Sequence, residues 1–219
     1  MLSEDILEMN RENEIDIIGC GGHARSVADV LLDMEPDCKI TFWDDNAKLN
    51  EKIYLHDRKF DVFNYKDLKN SDKIFVAIGD NRIRNKISNE RRIESKNIIS
   101  QHAYVSRSAM MSTGNFIGNG AYVGPQVKIG NGNIINTHAV VEHESVIGDF
   151  CHISVNSTVC GRCKIGSNVF IGAGATVIDK ITICNNVIVG ANCVVTRDIA
   201  EPGVYVGCPV QRIEDRKGE

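Results

Sequence analysis

From Ile99 onward an aliphatic residue returns at every sixth position. The column runs Ile99, Val105, Met111, Ile117, Val123, Ile129, Ile135, Val141 and Ile147, then Ile153, Val159, Ile165, Ile171, Val177, Ile183, Val189 and Val195. Seventeen aliphatic residues in one register, without an insertion, do not arise by chance at this composition. Helices repeat near 3.6 residues and strands near 2, so neither explains a period of six. A solenoid does: each hexapeptide forms one side of a coil, and stacked coils bury the column. At eighteen residues per triangular coil this stretch gives roughly five coils.

Neighbouring positions follow the same register. Two residues before the column stand mainly small side chains, among them Ala103, Ala109, Ala121, Ala139, Ser145, Ser157 and Ala175. They are expected to point into a narrow interior. Just after the column come Gly118, Gly124, Gly130, Gly148, Gly166, Gly172 and Gly190, read as corners that need permissive backbone angles.

Before Asn97 the pattern changes. Short apolar runs at 15–18, 39–43 and 74–78 predict strands, and the stretches from Val27 to Met34 and from 82 to 94 predict helices. Strands alternating with helices favour a small parallel, Rossmann-like α/β sheet. The first strand ends in Gly19-Cys20-Gly21-Gly22-His23-Ala24, a turn whose backbone N–H groups can approach a phosphate at a helix N-terminus. The spacing also fits a dinucleotide fingerprint, but fewer than 100 residues leave no room for a second mononucleotide half.

Charge confirms the division into 1–97 and 98–219. Residues 1–97 hold 36 of the 54 Asp, Glu, Lys and Arg, and residues 98–205 hold 12. Hydrophobic residues are 42% of the 219, which supports a packed core, and the formal net charge of −4 argues against a nucleic-acid surface. No apolar run is long enough to span a membrane, and residues 1–14 are too polar for a signal peptide, so a cytoplasmic protein is expected. Of eight cysteines, Cys151, Cys163 and Cys193 occupy the small inward post, while Cys160 and Cys184 follow the column. All five read as small solenoid residues, including the CxxC of Cys160 and Cys163.

The chain from about Glu14 to Ile213 resembles the bacterial nucleotide-sugar N-acetyltransferases of the hexapeptide-repeat superfamily. These complete diacetamido-bacillosamine, perosamine and related 4-amino sugars, and they are closely similar to the sialic acid O-acetyltransferases. The resemblance is carried by Gly19-Cys20-Gly21-Gly22-His23-Ala24, Ala77-Ile78-Gly79-Asp80-Asn81, Glu142-His143-Glu144, His152-Ile153 and Val206-Gly207-Cys208-Pro209. It implies a left-handed parallel β-helix, a homotrimer with acetyl-CoA between adjacent solenoids, no metal, and a UDP-linked amino sugar held by the first domain. It also implies a place in surface-glycan or glycoprotein-sugar biosynthesis.

Residue by residue, His143 matches the family's general base; a histidine can take the acceptor's proton at neutral pH. Asn136 and Glu144 match positions that orient the base or the acceptor. His152 matches a contact to the acetyl group, and Gly161 is placed for its N–H to meet the oxyanion. Ala173 and Ala191 match pantetheine contacts, and Pro209 a loop near the adenine. Gly21, Gly22, His23, Asp44, Asp45, Asn81 and Arg82 match nucleotide-sugar contacts, with Asp44 or Asp45 accepting the uracil N–H. Arg162, Lys164, Lys180 and Arg197 are candidates for CoA phosphates.

Three other readings stand beside this one. The first is an O-acetyltransferase acting on sialic acid or a related glycan sugar. The second is a zinc carbonic-anhydrase-like protein using His102, His138 and His143. The third is a trimer that only binds nucleotide-sugar, against which His143, Glu144 and His152 argue.

Overall fold

The computed structural model describes residues 14–48, 51–69 and 73–213. The polar stretch 1–14 therefore lies, apart from Glu14, outside the described residues.

The first domain is a five-stranded sheet with helices. Strands β1 (Glu14–Ile18), β2 (Lys39–Asp44) and β5 (Ile74–Val76) pair in parallel with β1 in the middle, as the alternating pattern predicts. Two strands add to that expectation. β3 (Lys52–Leu55) and β4 (Arg58–Asn64) form an antiparallel hairpin, and β4 extends the sheet in parallel beside β2. Its two-residue turn, His56-Asp57, has φ of 48° and 58°. This is the double positive-φ arrangement that usually signals itself through Asn or Gly. Helix α1 (Gly22–Met34) follows β1, and α2 (Asn81–Arg91) follows β5. Asp80 caps α2, its Oδ1 accepting the Ile83 N–H at 2.9 Å.

From Ile98–Ile99 onward the chain is a left-handed parallel β-helix of two-residue strands. Up to Val194–Val195, neighbouring strands on a face pair eighteen residues apart, as in Tyr122 with Tyr104 and Val140. Three faces result. Face 1 begins at Ile98–Ile99, face 2 at Tyr104–Val105 and face 3 at Met110–Met111. The six-residue column is the inward member of each strand from Ile98–Ile99 to Val194–Val195 and forms the core with the small posts. Cys151, Cys163 and Cys193 are buried among those posts, as read from the register. Where the post is Asn115 or Asn133, the buried side chain joins an eighteen-residue ladder. Asn115 Nδ2 donates to Asn97 Oδ1, Asn133 Nδ2 to Asn115 Oδ1, and the Cys151 N–H to Asn133 Oδ1.

The reading of the corners needs correction. Positive φ falls three residues after the column, at every sixth residue from Gly114 to Asn192, and not at the glycines just after it. At several corners the fourth residue after the column donates to the carbonyl of the first, as Ala139 N does to Asn136 O at 3.0 Å. The positive angle is then the third position of a type II turn. The glycines just after the column serve close approach instead. A Cβ on Gly172 would stand 2.6 Å from the Ala191 nitrogen, and one on Gly148 2.7 Å from the Gly166 carbonyl carbon.

The two domains share one apolar cluster. Ala24, Val27 and Ala28 of α1 join Ile98, Phe116 and Ile134 on face 1. Thus α1 lies along that face, and the carboxyl ends of β1, β2 and β5 open near the solenoid.

Candidate active site

At those carboxyl ends lies a cleft of about 510 Å³, the usual place for a ligand in a parallel α/β sheet. Gly21, Gly22, His23, Asp44 and Asp45 all line it, with Trp43 and Tyr65 as aromatic walls. Asp44 is engaged in shaping the loop. Its Oδ2 accepts the Cys20 N–H at 3.0 Å and its Oδ1 the Asn46 N–H at 2.9 Å. A second cleft, about 640 Å³, adjoins it through Gly79 and is lined by Asn81, Arg82, His152, Phe170 and Ile188.

Asn81 faces into the protein. Its Nδ2 donates to Val169 O at 3.0 Å, and its Oδ1 accepts from Arg84. Arg84, which the sequence pattern does not single out, is 2% exposed. Its guanidinium donates to Ile78 O and Gly79 O in the first domain and to Gly132 O and Cys151 O in the solenoid. Burial pulls its pKa down to about 10, so it remains a cation at neutral pH. No feature of the α2 sequence distinguishes it; only docking against the solenoid does.

Beside this clamp stand two histidines, with ring centroids 6.3 Å apart. Asn136 Oδ1 accepts the Thr137 N–H at 2.8 Å, which turns its Nδ2 toward His152 Nε2 at 3.0 Å. His152 Nε2 is therefore the acceptor, and Nδ1 carries the proton toward Gly79 O at 3.4 Å. His23 packs edge-on against Phe116, and its buried Nε2 meets no partner. Burial pulls His23 down to about 3 and His152 to about 4, with the Arg84 charge adding to both. Both rings are neutral hydrogen-bonding groups at physiological pH.

These depressed values carry a pH dependence. Below about pH 6.5 the unfolded chain takes up protons that the folded rings refuse, so stability falls as pH drops toward 4. Between pH 7 and pH 5 each histidine is expected to remove ~2 kcal/mol. Urea midpoints measured at both pH values in the native chain and in His152→Asn check this: the variant should show about half the native loss.

The other histidine sits elsewhere. His143 lies at the edge between faces 2 and 3, whereas Asn136 lies at the edge between faces 1 and 2. Of the residues expected around His143, the single chain brings only Glu144 and Gly161 to it. His143 Nδ1 meets Glu144 Oε2 at 3.0 Å, and its backbone N–H donates to Glu142 Oε2 at 3.2 Å. Gly161 lies one coil further along the same edge. A Cβ there would stand 2.6 Å from both Cε1 and Nε2 of the His143 ring, so the ring rests on bare backbone. Among the described residues no acceptor meets the N–H of Gly161, Ala173 or Ala191. Ala173 and Ala191 share the Asn136 edge. Pro209 is exposed in the turn between Gly203–Gly207 and Val210–Ile213 at the end of face 1.

His102 and His138 stand on the Asn136 edge, with the His138 ring over Gly120, so they do not converge with His143 in one chain. Among the described residues no cluster of His, Cys, Asp and Glu is arranged to hold a metal ion. No described helix is long and apolar enough to cross a membrane.

Comparison with known proteins agrees with both halves. The PglD N-terminal domain model matches residues 14–91, and the bacterial transferase hexapeptide model matches 144–179 and 163–197. GDP-perosamine N-acetyltransferase from Caulobacter crescentus, solved as a histidine-to-alanine variant with CoA and GDP-perosamine, is 30% identical with a TM-score of 0.81. The alignment covers 93% of this chain and 98% of that one. The chain belongs to the hexapeptide-repeat sugar N-acetyltransferases. A second member, the acetyltransferase domain of PglB from Neisseria gonorrhoeae FA1090 with acetyl coenzyme A, is 29% identical. Its TM-score is 0.79, with 92% of this chain and 99% of that one covered. Among curated proteins, the uncharacterized protein L142 of Acanthamoeba polyphaga mimivirus is 37% identical over 99 residues, a match spanning 20% of that protein's length and 45% of this chain.

Proposed function

We propose that this protein transfers the acetyl group of acetyl-CoA directly to the amino group of a nucleotide-activated sugar, with His143 as general base. One observation carries the assignment of the base. Glu144 holds Nδ1 and leaves Nε2 open beside the Gly161 backbone, whose N–H is unengaged. In the reaction the acceptor nitrogen attacks the thioester carbonyl while Nε2 takes its proton, and the carbonyl electron pair moves to oxygen. The Gly161 N–H steadies that oxyanion, a donor contribution of about 10²-fold or more. On collapse the carbon–sulfur bond breaks, and the proton leaves with the thiolate as free CoA thiol.

The remaining site residues fit the same reading. The glycine turn and Asp45 hold the nucleotide in the cleft beside Trp43. His23 and His152, uncharged, line the two clefts on the sugar and acetyl sides without competing for the proton. Ala173 and Ala191 offer backbone to the pantetheine. We read the nucleotide as UDP from the resemblance of the whole chain to the bacillosamine-type enzymes, although the Caulobacter relative was solved with a GDP-sugar.

The site is also read as shared between copies. His143 and Asn136, the latter with His152 beside it on face 1, stand at opposite edges of face 2, one six-residue side apart, roughly 20 Å along the strand direction. The outward residues of that face are Tyr104, Tyr122, Val140, Thr158, Thr176 and Val194, without a charge among them, whereas face 3 presents Lys128 and Lys164. A homotrimer packed through face 2 would bring the two edges together.

The test is thiol release from acetyl-CoA with UDP-, GDP- and TDP-linked 4-amino sugars, on protein whose mass in solution is measured by light scattering. Release with an amino sugar from a particle of three chains is expected. Release with sialic acid alone would overturn the assignment. Gly161→Ala gives a sharper check of the geometry. The new methyl pushes the exposed His143 ring aside, so kcat should fall ~10²-fold with little change in unfolding midpoint.

A further inference from the structure

Eighteen residues beyond Gly161, on the same edge, stands Asp179. Its Oδ1 lies 3.2 Å from the point a Gly161 Cβ would occupy, and His143 Cε1 and Nε2 lie 2.6 Å from that same point. Because Gly161 has no side chain, nothing separates this carboxylate from the side of the imidazole that Glu144 leaves open. Arg162, adjacent in sequence to Gly161, binds the other oxygen: its Nη2 meets Asp179 Oδ2 at 2.6 Å. The Arg162 backbone N–H is itself tied to His143 O at 2.8 Å. His143 thus sits over an ion pair aligned with its row.

We propose that the Arg162–Asp179 pair tunes His143, with Asp179 favouring the imidazolium that forms during transfer and Arg162 limiting that pull. Both are positioning residues, acting through His143. The charged groups facing the ring are Glu142 at its backbone N–H, Glu144 at Nδ1, Asp179 beneath Nε2, Arg162 on Asp179, and Lys180 at 4.0 Å from Asp179. The Asp179 carboxyl is held below its ordinary range chiefly by the Arg162 hydrogen bond, with a smaller contribution from His143, so it is ionised wherever the enzyme works. An ionised carboxylate near the ring that receives a proton raises that ring's affinity for it; a neighbouring guanidinium lowers it. Removing one partner of the pair therefore moves His143 in the opposite direction from removing the other. A purely structural brace would not give opposite signs.

This inference rests on His143 being the base, and its primary readout is independent of that role. The imidazole of His143 is titrated by NMR in the native protein, Asp179→Asn and Arg162→Gln, and the acid limb of kcat/KM is recorded for each. Asp179→Asn should lower the His143 pKa by ~0.5 unit and Arg162→Gln should raise it by a similar amount, the acid limb moving with it. Shifts of the same sign, or no shift, overturn the proposal, as does an Arg162→Gln effect confined to the KM for acetyl-CoA. If His143→Ala remained active, the assignment of the base would fall, while the opposite-signed titration shifts would still report the pair's action on the ring.

Discussion

His143→Ala is expected to lower kcat/KM for acetyl transfer by ~10³-fold while the protein stays folded, since a positioned base contributes 10²- to 10⁴-fold. The side chain is half exposed, hydrogen-bonds to Glu144 and rests on the Gly161 backbone near Asp179, with both carboxylates at the surface. Its loss should therefore leave the unfolding midpoint within error and the KM for acetyl-CoA little changed. The defect should fall on kcat. Glu144→Gln should lose less, about tenfold, because it weakens the hold on Nδ1 but leaves the ring in place. An alanine variant with more than a tenth of native turnover would remove His143 as the base.

Arg84→Ala is expected to have the largest effect on stability, a loss of about 3 kcal/mol. The guanidinium is a buried cation with no carboxylate partner among its contacts, and its bonds run to carbonyls of Ile78, Gly79, Gly132 and Cys151 and to Asn81. Truncation relieves the desolvation of the charge. It also strands several buried acceptors, each worth 1–3 kcal/mol when unsatisfied, and the second effect outweighs the first. Arg84→Lys keeps the charge but cannot reproduce the planar fork, so an intermediate loss is expected. Because the clamp fixes Gly79 between the two clefts, Arg84→Lys should also raise the KM for the nucleotide-sugar more than that for acetyl-CoA. Chemical denaturation and the two KM values test both statements. Unchanged stability in Arg84→Ala would show that α2 and the solenoid are held by apolar packing alone.

Much of this molecule is readable along the chain. The six-residue column, the small inward posts and the cysteines among them all follow from a repeat strict enough to be counted. The β3–β4 hairpin escaped because His56-Asp57 adopts positive φ without the glycine or asparagine that would announce it. The corner glycines were legible as special but for the wrong reason. Their position is set by the backbone of the next coil, which has no trace in the local sequence.

The candidate site divides the same way. The sequence alone determined that His143 has Glu144 beside it and Gly161 one coil away, because i and i+18 are stacked neighbours in any solenoid of this period. Asn136 and His152 lie only seven and nine residues from His143, close in sequence and on either side of it. Those steps span about a third to a half of an eighteen-residue coil, so the chain carries Asn136 to another edge and His152 onto face 1 beside it. Only the tertiary structure decided that they pair with each other, beside His23 and the Arg84 clamp, leaving His143 alone with its carboxylates.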